Sequence, residues 1–298
     1  MIFYFDIRRV PIFRTMFKKS GVIQKDHFNN MFVYFFSTRG SLSKYFPGLC
    51  YSRPKFRDGD DKIIIFDSYT TTRQLKWLRN NYPDKRVILW YWNSVINDSL
   101  IRNHPQGVEL WSYSTKDCER FGMRYNTQFY FDCLAEEAEI CRREPLSSHP
   151  RAFFFGRDKG RSGKINEIGE QLRGIGVDVD IRIVAHTEPG IQSLRNPDLV
   201  SYQTVVDIVK EKDILLDYCE DPESGLSLRA MESLFFGKKL ITDSIAILDS
   251  DFYNPANIYV LGHDNRSLKE FVDCRRELVS PEIRDHYLLS NWLKRFDL

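Results

Sequence analysis

The residues best suited to chemistry lie in two clusters in the second half of the chain. The first, 217–232, reads DYCEDPESGLSLRAME. It opens as an acidic loop carrying Pro222 and Gly225. It then enters a helical pattern in which Leu228, Met231, Leu234 and Phe235 recur at three- and four-residue steps. The second, 157–164, reads RDKGRSGK, with Arg157, Lys159, Arg161 and Lys164 within eight residues. A glycine-bearing loop entering a helix presents backbone N–H groups and the positive end of the helix dipole to an anion. Basic side chains just past a strand add charge-assisted hydrogen bonds. The chemistry implied is phosphate or diphosphate binding. The plainer account is a solvated basic loop and an ordinary helix with a surface Glu232.

These clusters need a parallel α/β scaffold to hold them. Residues 152–155, 181–184, 214–216, 240–241 and 258–261 read as short buried strands. Gly156 closes the first of these, and Gly237 closes the helix that carries Glu232. Residues 203–210 read as a helix preceded by Tyr202, and 281–296 as a helix bearing Ile283, Tyr287, Leu288, Trp292, Leu293 and Phe296. In the first half, 62–66 (KIIIF), 87–92 (VILWYW) and 109–112 read as strands, with helices over 70–80 and 115–121. Strand–helix alternation implies parallel pairing with right-handed crossovers. Ligands of such sheets lie beyond the carboxyl ends of the strands, where Asp67 and Asn93 stand in the first half. His186 follows a strand and either faces a cleft or is a satisfied strand-end histidine. Tyr202 either approaches a nucleobase or is a core aromatic. PLSSHP at 145–150 is the expected linker.

The order of residues over 151–262 resembles the donor-binding half of GT-B glycosyltransferases, which transfer sugars from nucleotide donors. The family pattern is an acidic residue, a Gly-containing loop, then Glu, four residues, Gly and an apolar strand. Here Glu232 is followed by Gly237, Lys238, Lys239, Leu240 and Ile241. The resemblance implies that Glu232 binds the donor ribose and that Gly225, Leu226 and Ser227 pass close to the diphosphate. It implies that Arg157 and Lys164 hold that diphosphate, with Arg229 as a further cation. The family often has a second Glu ahead of the one matched by Glu232, with seven residues between the two. Ser224 stands at that place here, with Glu223 one residue off, and Lys239 replaces a frequent Pro.

The resemblance further implies an α/β, GT-B-like fold of two Rossmann-type domains facing a central cleft. An acceptor domain would span 1–148 and a nucleotide-sugar donor domain 149–280, with the helix 281–298 crossing back to the first domain. The reaction would be attack of a glycan or lipid-linked hydroxyl on the anomeric carbon of a nucleotide sugar. Cations would stabilise the leaving diphosphate, so neither metal nor other cofactor is expected. An inverting course would need a general base, for which Asp67 is the candidate; a retaining course would not. The usual setting of such chains is bacterial lipopolysaccharide or capsular polysaccharide synthesis. The rivals are a nucleotide-sugar epimerase and a non-catalytic partner protein that keeps the fold without turnover.

Composition fits two ordinary domains in 298 residues, 42% of them apolar. No run of about 18 apolar residues occurs, and Asp6, Arg8 and Arg9 interrupt the start, which argues against a signal peptide. The six Cys show no C-x-x-C and the six His no H-x-x-x-H, so reduced thiols in a cytoplasmic setting are expected and a zinc site is not. Asp58–Gly–Asp60 and Asp178–Val–Asp180 match a metal-binding Asp-x-Asp pattern, but the first pair precedes an apolar run and the second precedes or starts one, and such strand-entry acids read as solvated turn residues. Residues 1–57 hold eleven Lys or Arg against two Asp, interleaved with Phe and Tyr. That mixture suits an anionic membrane surface, which would place the protein peripherally at the inner face of a membrane. The acidic remainder argues against nucleic acid as the partner.

Overall fold

The computed structural model describes residues 2–4, 11–19, 23–25, 50–68, 70–143, 145, 147–184, 200–219, 222 and 225–297. The chain is α/β and divides into two compact units, Met1–Asn126 and Thr127–Leu298. The division falls upstream of the 145–150 linker and groups residues 127–148 and 281–298 with the second sheet.

The first unit runs β1 (Ile2–Tyr4), α1 (Pro11–Lys19), β2 (Ile23–Lys25), β3 (Lys62–Phe66), α2 (Thr72–Asn81), β4 (Arg86–Tyr91), α3 (Ser99–Arg102), β5 (Val108–Ser112), α4 (Thr115–Phe121) and β6 (Arg124–Tyr125). Its strands form one parallel sheet in the order β2-β1-β3-β4-β5-β6. Beyond their first residues, Lys62 and Arg86, β3 and β4 are apolar because both faces of the sheet are covered. Ile63, Ile65, Val87 and Leu89 pack with Leu75 and Leu78 of α2. Ile64, Phe66, Ile88 and Trp90 alternate to the opposite face and are at most 1% exposed. There Phe17 of α1 lies 6.0 Å from Phe66. α2 begins at Thr72 rather than at residue 70 because Thr71 caps it, accepting the Gln74 N–H at 3.1 Å.

The second unit runs α5 (Asp132–Cys141), β7 (Arg151–Arg157), α6 (Ser162–Gly174), β8 (Asp178–Val184), α7 (Tyr202–Glu211), β9 (Ile214–Asp217), α8 (Leu228–Phe236) and β10 (Lys239–Thr242). A 3-10 turn (Ile245–Asp249), β11 (Ile258–Val260), α9 (Leu268–Asp273), α10 (Pro281–His286) and α11 (Leu289–Lys294) follow. The sheet is again parallel, in the order β11-β10-β9-β7-β8. Phe154, Ile214, Leu216 and Ile241 build one face of its core with Ile165, Ile168 and Leu172 of α6. α6 sits close enough that a methyl group at Gly169 would lie 2.5 Å from Ile181 Cδ1.

Three expectations change here. Asp178 starts β8 and Asp180 lies within it, so neither is a turn acid, and Asp180 is engaged by Arg182 at 2.8 Å and Lys212 at 3.4 Å. Tyr202 is the first residue of α7. The single helix expected over 281–296 is two helices, broken at Leu288, whose ψ is 139°. The break arises because the backbone there pairs with another segment. Tyr130 N–H donates to Tyr287 O at 2.7 Å, and Leu289 N–H donates to Tyr130 O at 2.8 Å. Trp292, fully buried, donates its indole N–H to Thr127 O at 2.8 Å and lies 4.6 Å from the Phe129 ring. The C-terminal helices therefore pack on 127–131, residues that the sequence reading assigned to the first domain. Among the described residues no helix is long and apolar enough to cross a membrane.

Candidate functional site

In the second sheet β10, β9 and β7 are neighbours, so the loops that leave their carboxyl ends are side by side. The loop after β7 folds around Asp158. Its N–H donates to Val184 O at 3.0 Å, and its carboxylate accepts the Ser162 N–H at 2.9 Å, capping α6. That hydrogen bond holds the Asp158 carboxyl below its ordinary pKa. Lys159 and Gly160 make the intervening turn with φ of +50° and +76°. Arg157, Lys159 and Lys164 are exposed, Lys164 in the first turn of α6. Arg161 behaves differently. Its guanidinium donates to Tyr218 O in the loop after β9 and to Arg157 O at 3.2 Å, 5.7 Å from the Phe154 ring. Of four basic residues, three form a rim and one ties two loops together.

The loop after β9 is braced from below. Asp217 Oδ2 accepts the Ser227 hydroxyl at 2.7 Å and the Thr242 hydroxyl at 3.3 Å. Ser227 is the N-cap of α8 and accepts the Ala230 N–H at 3.0 Å. Ser244 Oγ donates to Pro222 O at 3.3 Å and lies 3.4 Å from Gly225 O, while Gly225 has φ of +111°. The Cys219 N–H donates to Asp243 Oδ1 at 2.7 Å. Burial raises the Asp243 pKa, and the nearby Asp217 charge adds to it. Burial, with those same two carboxylates, pushes the Cys219 thiol far up, so it stays protonated and is a poor nucleophile. Leu226 is buried, and its carbonyl accepts the Gln128 side-chain N–H at 3.3 Å.

Glu232 lies one turn into α8 and is 2% exposed. Its Oε2 accepts from Arg229, whose second arm donates to Phe155 O on β7 at 3.2 Å, with the guanidinium 5.6 Å from the Phe153 ring. The Tyr202 hydroxyl sits beside the Glu232 carboxylate and the Tyr130 hydroxyl. Burial raises the Glu232 pKa, against the pull of Arg229. Burial also raises both tyrosines, and the Glu232 charge reinforces the shift. Glu232 thus faces a closed polar knot, and Arg229 joins that knot instead of the exposed basic rim. Lys239, where the family has Pro, uses its N–H to reach Asp213 O at 3.0 Å, a bond that Pro could not make. Its buried ammonium closes the end of α9 by donating to the carbonyls of Phe271, Val272 (3.1 Å) and Cys274 (2.5 Å).

In the first unit Asp67 follows β3, and its Oδ1 accepts the Trp92 N–H at 3.0 Å just past β4. Asn93 lies beside the carboxylate and favours its charged form. Burial pushes the Asp67 pKa up to about 6, against these contacts. The Tyr91 hydroxyl is buried nearby, its pKa raised by burial and by the charges of Asp67, Asp117 and Asp98.

Arg157, Lys164, Gly225, Leu226 and Ser227 thus come to one sheet edge, while Arg229, Glu232 and Tyr202 form the knot beneath it. Ser224, His186 and most of the basic segment 1–57 lie outside the described residues. Sequence reasoning missed the structural parts played by Asp158, Arg161, Asp243 and Gln128. Asp158 carried a usable signal, an acid four residues before a helix start; Gln128 carried none, since its partner is 98 residues away. Among the described residues no group of three or more His, Cys, Asp or Glu is placed to hold a metal ion. No model of a known protein family matches the sequence, and no curated protein matches it significantly.

Proposed function

We propose that the second unit binds the diphosphate of a nucleotide sugar at the carboxyl edge of its sheet, and that the protein is a metal-independent, GT-B-like glycosyltransferase. The observation that carries this reading is the exposed rim of Arg157, Lys159 and Lys164 beside the 225–227 loop and the start of α8. Leaving diphosphate charge would meet these cations and the backbone N–H groups at the helix start. Glu232 reaches a donor ribose only if Arg229 releases it, so in this reading donor binding opens the knot. Asp67, its pKa raised by burial to about 6, would accept a proton from an acceptor hydroxyl in an inverting reaction. A glycan or lipid-linked acceptor in bacterial surface-polysaccharide synthesis, met on the cytoplasmic side of the membrane, completes the proposal.

One pair of observations favours a second reading, a partner protein with this fold but no turnover. The Asp158 carboxylate already occupies the α6 N-terminus, and Glu232 is closed off by Arg229. Calorimetric titration with UDP, GDP, ADP and CMP separates the two. Selective binding of one nucleotide, weakened about ten- to a hundredfold by Lys164→Ala, is expected for a charge-assisted phosphate contact. Lys164 is exposed, so its loss is expected to leave the fold intact. Binding of none of the four would favour the second reading.

A further inference from the structure

The 225–227 loop has a support that its own sequence neighbourhood does not supply. Residues 127–130 run as a buried strip between two parts of the second unit. On one side the strip is held by the C-terminal helices. Trp292 donates to Thr127 O, Arg295 donates to Thr127 Oγ1 at 2.5 Å, and Tyr130 exchanges backbone hydrogen bonds with Tyr287 and Leu289. On the other side Gln128, 2% exposed, donates its side-chain N–H to Leu226 O at 3.3 Å. Its Oε1 accepts the Phe129 N–H at 3.1 Å, which fixes the amide so that its nitrogen faces the loop. Two residues on, the Tyr130 ring stacks on Phe235 of α8 at 4.9 Å. The strip thus grips α8 at the loop that begins it and at its buried face.

A carbonyl at Leu226 fixes the orientation of the peptide that leads into Ser227, the N-cap of α8. Turning that peptide would move the Ser227 N–H and the first helical amides away from their common direction. The loop's contacts to Ser244 and Asp217 restrain Gly225 and Ser227 but leave the Leu226 carbonyl to Gln128.

We infer that Gln128 is a positioning residue that sets the 225–227 loop for anion binding and transmits to it the docking of the C-terminal helices. The anion-binding part rests on the nucleotide reading above; the positioning part does not. Two variants isolate it. Gln128→Glu keeps the acceptor for Phe129 N–H and, when its carboxyl is ionised, removes the donor to Leu226 O; Gln128→Met keeps the bulk and removes both at any pH.

The test is hydrogen exchange of the full chain without ligand, followed by calorimetry with the nucleotide that the wild type prefers. Both variants are expected to raise exchange about three- to tenfold in 225–231, the factor set by loss of one net hydrogen bond. Peptides from β3, β4 and the α9 region should not change. Trp292→Phe, which keeps a ring beside Phe129 and drops the bond to Thr127 O, is expected to raise exchange in 127–131 and in 225–231 together. Nucleotide affinity should fall by a similar factor in both Gln128 variants. Exchange that rises evenly over the second unit would mean that Gln128 acts only on overall stability, and would overturn the inference. Unchanged exchange in 225–231 would overturn it too. Local loosening in the variants, with a wild type that binds none of the nucleotides, would retain the positioning role and reject the nucleotide reading alone.

Discussion

The two sheet edges are built on the same rule and carry opposite chemistry. Both sheets are parallel, and both present loops at the carboxyl ends of their strands. At the first edge a carboxylate, Asp67, is drawn into the sheet end and held by the backbone of the next strand. At the second edge the carboxylates, Asp217 and Asp243, lie underneath as braces and the cations stand outside. The first edge therefore holds a carboxylate with a raised pKa and the second an outer rim of exposed cations, the two features on which the proposed roles of proton acceptor and anion cradle rest. A parallel sheet settles where a ligand goes, and the few residues beyond each strand settle what sort of ligand it is.

The comparison can be broken most sharply at the Arg229–Glu232 pair. Truncating either partner leaves the other buried without its counter-charge, at a cost of about 3–5 kcal/mol. Urea unfolding of Glu232→Ala and of Arg229→Ala should each show a loss of that order. The double variant should lose less than the sum of the two. Losses below about 1 kcal/mol in both singles would mean that the knot is solvated and the second edge more open than described.

A smaller effect, of opposite sign, is expected at the first edge. The folded Asp67 pKa, about 6, lies above its ordinary value of 3.8. Between those two pH values the folded chain binds more protons than the unfolded one. The stability due to this group is therefore complete below the lower pH and falls away as pH rises through about 6. Asp67→Asn should remove that slope and stabilise the protein at pH 7, relative to pH 4, by about 1–3 kcal/mol. Paired urea titrations at the two pH values would show it, and an equal effect at both would refute it.

The smallest effect separates a brace from a ligand contact. Ser227→Ala removes the α8 cap and the bond to Asp217, and should cost about 1–2 kcal/mol of stability. Ser227→Thr keeps the hydroxyl and should recover most of it. A nucleotide affinity lost in Ser227→Thr as well would show that steric access to the loop, not the cap, is what matters.

Much of the second edge could be read from local pattern. The apolar run 214–216, the Gly225 loop, the helix steps from Leu228 and the stop at Gly237 all follow from neighbours within a turn or two. Helix starts were less legible: the step from Leu228 agrees with the start of α8, whereas the Thr71 cap moves the start of α2 from residue 70 to Thr72. The burial of Glu232 was not legible, because Tyr130 and Tyr202, which lie against it, come from two other segments of the chain. The break at Leu288 was invisible for the same reason: periodicity ran straight through it, and only the distant Tyr130 backbone interrupts the helix. Pairings of that kind depend on which segments meet, and hydropathy spacing carries no record of them.

The fully buried Trp292 also has a consequence for how the chain is made. Its partner Thr127 precedes it by 165 residues. At synthesis rates of about 5–20 residues per second, the strip containing Phe129, Tyr130 and Phe131 is exposed for roughly 8–33 s before its cover exists. Three consecutive aromatic side chains, each fully buried in the finished structure, are then an exposed adhesive surface. The nascent protein depends during that interval on whatever in the cell shields such surfaces.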